Sequence, residues 1–429
     1  MDTELTGARL LAGTVVDPAG VIRAKQVPIA RAGVFEAHGM GASPSWNVFC
    51  IDNTVAFTPR FGVVGDLRLR LDLSTVRPLG GGLDWAPAEM YTQDGEPAAI
   101  CTRGLLRRTE AALAQRGLTA LVGGELEFVL TREDGSPRPT QGWNAYGLGA
   151  VLDAEPVLMD LVDAARQAGL PIEQVHAEYG PGQFEFSLAP ADPVTAADNI
   201  VLARVLTGRV ARRHGLGASF SPLPFAGGSG NGAHLHLSLA QRGVPLLSGG
   251  DGAHGLTREG GAAIGGIVAG LPEVVGVLAG SVLSAPRLRP GYWSGAFACW
   301  GLENREAAVR FCAATPSAPH GASVEVKCVD PSANPYLATS VLLGLALDGI
   351  VRDAELPAEL TVDPAGVPGT LRLPADQETA LDALEGSALA RGLLGEEILE
   401  ALGAVRRHEL DTYGKEDLAV VAERFRFTW

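Results

Sequence analysis

The sequence predicts an α+β protein in two parts, a small β-rich one followed by a larger mixed one. Three observations carry this reading. At 429 residues the chain is longer than one ordinary core organises, so two domains are expected. The first hundred residues are strand-like: "ARLLAGTVVD", "NVFCIDNTVAF" and "DLRLRLDLSTVRPL" are alternating or β-branched and separated by turns. From "TALVGGELEFVL" onward strands and helices alternate irregularly, and from about Thr370 the chain reads as helical and rich in Leu, Ala and Glu.

Each element has its own signal. "GDLRLRLDL" alternates, with Leu on one face and Arg or Asp on the other. "LGGGLDWAPAE" and "QDGEP" mark turns. "CTRGLLRRTEAALAQRGL" is helical, "DAEPVLMDLVDAARQAG" is an amphipathic helix ending at Gly, and "ADPVTAADNIVLARVLTGRVARRHG" is another with Pro near its start. Strands fall at "HAEYGPGQFEFSL", "AHLHLSL" and "ASVEVKCV". "AAIGGIVAGLPEVVGVLAGSVL" is the one segment long and apolar enough to raise a membrane span. Its Leu-Pro-Glu break and small residues read instead as a buried helix pair, so no membrane association is expected.

Composition excludes some partners. The net charge is −15 and the sequence pI about 5.0, so a broad basic footprint for nucleic acid is not expected. Excess acid is an ordinary soluble surface, or what remains when several carboxylates hold cations. Cys50, Cys101, Cys299, Cys312 and Cys328 form no CxxC pair and are odd in number. They read as buried apolar side chains in a reducing cytosol. "MDTELTGARL" shows no secretory pattern, and the expected location is cytoplasmic.

Side chains at i and i+2 of a strand share a face. "GELEF" so pairs Glu125 with Glu127, "GAHLHLSL" pairs His234 with His236 and sets Ser238 next along, and "SVEVKCV" pairs Glu325 with Lys327. "HAEYGPGQFEFSL" adds Glu178 and Glu185 around a Tyr-Gly-Pro-Gly break. Each pair alone is an ordinary polar strand face. Together, among Phe, Val and Leu, they are carboxylates too expensive to bury without cations. Glutamates with one histidine suit Mg²⁺ or Mn²⁺ better than a thiolate-rich zinc site. "RLRPGYWSGAFACWGLENREAAVRF" then carries Arg287, Arg289, Arg305 and Arg310. These are surface ion-pair partners or ligands of phosphate oxygens. Metal ions with arginines point to phosphoryl transfer from a nucleotide. There is no GxxxxGK[ST], and "GGSGNGAH" fits no phosphate-loop pattern.

In this order and spacing, "GGELEF", "HAEYGPGQFEF", "GNGAHLHLSL", "RLRPGYW", "ENREAAVRF" and "VEVKCVDPSANPYLA" resemble the glutamine synthetase superfamily. The resemblance implies a β-grasp domain over residues 1–98, and a catalytic domain with a curved antiparallel sheet and flanking helices over 99–429. It implies ATP as substrate, an acyl phosphate on the γ-carboxylate of glutamate or a related acid, and displacement of phosphate by an amine. It assigns one metal to Glu127, Glu178 and Glu185, and a second to Glu125, His234 and Glu325. Arg287 would bind the substrate carboxylate. Arg305 and Arg310 would face the phosphates, and His236 and Ser238 would line the nucleotide. Ser229, Gly230, Lys327 and Trp293 would border the acid and amine. A homo-oligomer is implied, a dodecamer of two six-membered rings with active sites shared between neighbours.

Four departures from the family pattern bear on substrate. Trp293 stands where "RLVPGYE" has its glutamate, Lys327 where an arginine is usual, and Ser229 where the "NGSGMH" loop has asparagine. Leu371 falls near the tyrosine that is adenylylated in bacterial ammonium-assimilating members. These departures are similar to the branch that ligates glutamate to polyamines or monoamines, which makes a γ-glutamyl–amine ligase the expected function. The acids nominated for a polyamine in the small domain are Asp52 and Asp66. An ammonium-using synthetase is disfavoured by Trp293 and Lys327. An inactive homologue is disfavoured by the six intact ligands, and an unrelated metallohydrolase leaves the arginines and "DPSANPYLA" without a role.

Overall fold

The computed structural model describes residues 7–318 and 321–429. A six-stranded sheet is built from β1 (Leu10–Val16), β2 (Ile22–Pro28), β3 (Met40–Ala42), β4 (Leu67–Leu71), β5 (Arg77–Gly80) and β6 (Leu83–Tyr91), in the order β2-β1-β6-β4-β3 with β5 on β6. β1 and β6 run parallel and the other pairs antiparallel. The alternation in β4 works as read: Leu69 and Leu71 are buried. Helix α1 (Ala32–His38) lies over this sheet, and a Cβ at Gly13 would meet the Phe35 ring at 2.5 Å. "NVFCIDNTVAF", expected as a strand, is not one. Ser43 accepts from the Ser45 N–H and starts a 3₁₀ turn over Pro44–Val48, after which Phe49 makes a single bridge to Val55. Local capping and the left-handed Asn53 (φ 65°) override its β-branched content.

The larger, nine-stranded sheet holds β7 (Leu118–Arg132), β8 (Ile172–Ala177), β9 (Gln183–Ala191), β10 (Leu216–Ser219), β11 (Leu235–Gln241), β12 (Val244–Pro245), β13 (Phe297–Leu302), β14 (Ala307–Cys312) and β15 (Ser323–Val326). Its order is β13-β14-β15-β11-β7-β9-β8, with β10 on β7 and β12 on β11. All pairs are antiparallel except β13 with β14.

Helices pack around this sheet: α2 (Thr102–Gln115), α3 (Leu148–Asp153), α4 (Glu155–Gln167), α5 (Pro193–Arg213), α6 (Arg258–Leu278), α7 (Ser284–Arg287) and α8 (Pro335–Arg352), then α9 (Gln377–Gly386), α10 (Ala388–Leu394), α11 (Glu396–Tyr413) and α12 (Leu418–Arg424). The helix read in "DAEPVLMDLVDAARQAG" begins at Glu155, with Pro156 in its first turn. The apolar segment expected as a helix pair is instead the single helix α6, continuous through Pro272. Packing holds it together. Gly266 and Gly349 bring α6 and α8 into backbone contact, where a Cβ at Gly349 would lie 2.2 Å from the Ala262 carbonyl oxygen. α8 is a second helix long and apolar enough to cross a membrane, which the sequence reading did not identify; most of both helices is buried inside the protein.

"DPSANPYLA" gains a structural role. Asn334 caps α8 by accepting from Tyr336 and Leu337 N–H, while its Nδ2 donates to the Val16 and Asp17 carbonyls. Gly20 (φ 80°) touches Ser332 so closely that a Cβ would sit 2.2 Å from its carbonyl oxygen. The β1–β2 turn is thereby locked to the loop that follows β15.

Candidate active site

One face of the larger sheet carries the chelating side chains. Register sets Glu127, Glu185 and His176 opposite one another on β7, β9 and β8. Arg310, Glu325 and His236 form a second row on β14, β15 and β11. Ahead of β11, the Glu125 N–H donates to the His234 carbonyl at 3.0 Å and the Glu127 N–H to that of Gly232 at 3.0 Å, so His234 arrives beside Glu125. Gly232 must lack a side chain, because a Cβ there would lie 2.5 Å from His234 Nε2 and 2.9 Å from Glu127 Oε1.

On this face, among the described residues, three sets of ligand atoms lie within 4.8 Å of one another: Glu125, His234 and Glu325; Glu127, Glu185 and His234; and His176, Glu178 and Glu185. The first is the set the sequence implied. The second expected set is divided. Glu178 turns to His176 Nε2 (2.9 Å), the Tyr146 hydroxyl (3.1 Å) and the Tyr179 N–H (3.1 Å), while Glu127 pairs with Glu185 and His234. The Tyr-Gly-Pro-Gly turn brings Glu178 back beside Glu185: Glu178 N–H donates to the Gln183 carbonyl and Gln183 N–H to that of Gly180, with Gly182 at φ 76°.

Electrostatics divide the acids of this face into those with cationic partners and those without. Burial first, and then Glu125, Glu127 and Glu178, push the Glu185 carboxyl up to about 10. Burial likewise raises Glu127. Burial also acts on Glu125, but hydrogen bonds with His234 and His236 hold it well below the carboxylate range. Burial acts on Glu325 too, and the Lys327 ammonium and the two histidines bring it to about 2. The Glu178 carboxylate raises His176. Carboxylate oxygens with imidazole nitrogens, no thiolate among them, and unneutralised repulsion at Glu185 fit hard divalent cations.

These residues border a cavity of about 1010 Å³ that also takes in Ser229, Gly230, Arg287, Arg289, Trp293, Arg305, Arg310 and Lys327. Arg287 is buried. Its NH2 donates to the Lys327 carbonyl at 3.3 Å, and its buried NH1 has no hydrogen-bond partner among the described residues. Arg305 is exposed in the wall. Arg310 bonds Glu303 and Glu325, and Lys327 Nζ donates to Glu325 at 2.9 Å. Trp293 adopts φ 51°, and its half-exposed indole meets Tyr179 edge-on at 6.5 Å. Its loop is clamped by Glu306, which accepts from the Trp293 and Gly291 N–H groups.

Some expected site residues stand elsewhere. His236 and Ser238 do not reach the cavity wall: His236 lies against Glu125 and Ser323, and Ser238 donates to the Ala322 carbonyl at 2.7 Å. Asp52 and Asp66 do not line the cavity of their own subunit, and in a ring with shared sites they would face a neighbour's. Asp52 accepts from Tyr413 and Thr54 and lies 3.0 Å from His408, and Asp66 accepts from Gln93. Conversely, sequence reasoning passed over His176 and Gln183. The i, i+2 rule finds both, one beside Glu178 and the other beside Glu185. Gln183 Nε2 donates among Glu127 (2.9 Å), the Gly230 carbonyl (2.8 Å) and Asn231 (3.0 Å), while its Oε1 accepts from the Gly180 N–H. Tyr146 has no spacing signal.

The geometry defines a class: a cluster of carboxylates and histidines facing a wall of arginines, a donor set that fits divalent cations. A family model described as "Glutamine synthetase, catalytic domain" matches residues 99–423. The chain belongs to the glutamine synthetase family. It is 38% identical to the gamma-glutamylpolyamine synthetase GlnA3 of Streptomyces coelicolor, over 96% of this chain and 92% of that protein. It is 31% identical to a glutamine synthetase of Clostridium saccharobutylicum, over 81% and 82% of the two. A solved structure described as a novel glutamine synthase homologue superposes with TM-score 0.90 at 30% identity, covering 99% of both chains. Apo GmaS superposes with TM-score 0.85 at 29% identity, covering 97% of this chain and 96% of that one.

Proposed function

We propose that the protein is an ATP-dependent ligase that joins the γ-carboxylate of glutamate, or of a closely related acid, to an organic amine through an acyl phosphate. The observation that carries this is the carboxylate-and-histidine sheet face set opposite an arginine with an unpartnered N–H. Glu125, His234 and Glu325 would hold one Mg²⁺ or Mn²⁺. Glu127 and Glu185 would hold another, with Glu178 swinging from His176 to join them. Bound there, such ions withdraw charge from phosphate oxygens and bring nucleotide and carboxylate together.

The chain's own groups supply binding and orientation. Arg287 NH1 offers its free N–H to the substrate carboxylate, in a buried setting where a charged hydrogen bond is strong. Arg305, exposed in the wall, faces the phosphates, and Arg310 reaches them by leaving Glu303. Lys327 steadies Glu325. Ser229 and Gly230 border the acid, and a side chain at Gly230 would strike Arg287 Cγ at 2.6 Å. Trp293 and Tyr179 form an aromatic corner for the body of the amine, where a carboxylate would hold ammonium in the family pattern.

The test is phosphate release from ATP with Mg²⁺ and glutamate. Alkyl or aryl amines should stimulate it well beyond ammonium. Ammonium outperforming every amine contradicts the amine reading. We further propose a cytoplasmic dodecamer of two stacked six-membered rings; light scattering that gives a monomer in active samples contradicts it.

A further inference from the structure

This inference rests on the ligase reading and on the ring of shared sites, and concerns the body of the amine. The connection from β3 to β4 exposes three large apolar side chains, Phe57, Val63 and Val64. The loop that carries them is pinned. Phe61 is buried at its centre, with its N–H on Thr58 Oγ1. The Ala56 N–H donates to the Val48 carbonyl at 2.9 Å. Arg60 pairs with Glu397 (3.3 Å) and Glu400 (3.0 Å) of α11. A fixed loop that presents apolar groups to solvent marks a contact surface. No residue of this loop lines the cavity of its own subunit.

Two other places expose several large apolar side chains among the described residues, and the rest stand singly along the chain. One is the cavity mouth, with Tyr146, Tyr179, Tyr292 and Trp293. The other is α3 with α4, where Leu148, Leu152, Met159 and Val162 are exposed. Charge decides between them. α4 sets exposed Glu155, Asp160 and Asp163 among its apolar groups, the same sign as the Asp52 and Asp66 that bracket the loop. The mouth is basic. Arg305 is exposed in the wall, and Arg289, stacked on Tyr292 at 4.1 Å, has no hydrogen-bond partner at Nε among the described residues. Asp66 is exposed, with Gln93 as its one side-chain partner among the described residues. Loop and mouth thus match in apolar character and are opposite in charge. They are different surfaces of one chain, as the head-to-tail contacts of a closed ring require.

We infer that this loop closes the cavity of the neighbouring subunit, and that Phe57, Val63 and Val64 are specificity-determining residues acting in trans. With Tyr179 and Trp293 of the partner subunit they form an apolar slot for the hydrocarbon chain or ring of the amine. The reacting nitrogen lies toward the carboxylate face, and the carbon body leads out between the two subunits. Each methylene buried there favours a longer or aromatic amine over methylamine and ammonium, which do not reach the slot.

The test reads the ratio of kcat/KM for butylamine to that for methylamine by phosphate release, with light scattering to follow the assembly. Phe57→Ala and, separately, Val63→Ser with Val64→Ser should each lower the ratio at least about fivefold, through butylamine. Phe57→Leu, which stays apolar, should preserve it. A ratio that neither change lowers, or an equal loss on both amines, overturns the inference and leaves the ligase reading standing. Mixed rings test the placement in trans. Subunits carrying Arg287→Leu are co-expressed with subunits carrying all three loop changes (Phe57→Ala, Val63→Ser and Val64→Ser). Random mixing sets an intact loop beside an intact cavity in about one pair of four, so about a quarter of the native butylamine rate should return. A rate no higher than the average of the two parents overturns closure in trans. No turnover of any amine by the native enzyme overturns the ligase reading as well.

Discussion

Glu185→Gln separates a metal ligand from a structural acid. Glu185 is 6% exposed and sits opposite Glu127 across β7 and β9. Burial and three neighbouring carboxylates push it up to about 10, so without a cation it keeps its proton at neutral pH. Glutamine has the same shape and no charge. The metal-free variant should thus lie within about 1 kcal/mol of the parent. The difference should appear on adding Mg²⁺. A cation at a hundredfold its Kd stabilises the native state by about 2.7 kcal/mol, about 3 °C for a chain of this size. Loss of an outer-shell partner alone weakens metal affinity about 10–100-fold, so losing a direct ligand should remove most of that gain. Thermal unfolding in EDTA and in Mg²⁺, for parent and variant, reads both quantities. A variant that keeps the full Mg²⁺ shift refutes the metal assignment. One that loses several kcal/mol in EDTA shows Glu185 to be a structural ion-pair partner instead.

Three further outcomes are expected. Gln183→Leu strands Glu127 and the Gly230 carbonyl; at about 1–3 kcal/mol for each buried group left unpaired, it should lower the unfolding midpoint and raise the Mg²⁺ concentration needed for half-maximal activity, whereas an unchanged Mg²⁺ requirement refutes its positioning role. Gly349→Ala forces α6 and α8 apart and should cost about 1–3 kcal/mol, read as a lower denaturant midpoint with unchanged slope; a neutral variant contradicts the close crossing. Asp52 is opposed by burial but held below its ordinary value of 3.8 by His408, Thr54 and Tyr413, so its contribution is present above 3.8 and lost as pH falls towards the lower folded value. Asp52→Asn should therefore be less stable than the parent at pH 7, with the gap closing below about pH 4 in urea titrations; a gap that widens in acid contradicts the sign.

Much of the site was legible because the i, i+2 rule acts within a few residues. Glu125 with Glu127, and Glu325 with Lys327, lie where that rule puts them. Register between strands is not written locally, so the row of Glu127, Glu185 and His176 emerged only with the sheet. The same holds for Asp52, whose partner His408 is 356 positions away. Pro272 reads as a helix break until the glycine contacts between α6 and α8 are seen. "NVFCIDNTVAF" has strand composition and lacks a strand's neighbour. For the sheet row, Asp52 and Pro272 a long-range contact prevailed over a local signal; for "NVFCIDNTVAF" one local signal, the Ser43 cap, overrode another.

The most direct test of the central claim follows oxygen. Glutamate labelled with ¹⁸O in its γ-carboxylate is incubated with the enzyme, ATP, Mg²⁺ and benzylamine, and the released phosphate is analysed by mass spectrometry. Activation as an acyl phosphate should leave one ¹⁸O in each phosphate released, matched one to one by amide formed. Amide formation with unlabelled phosphate would contradict the account.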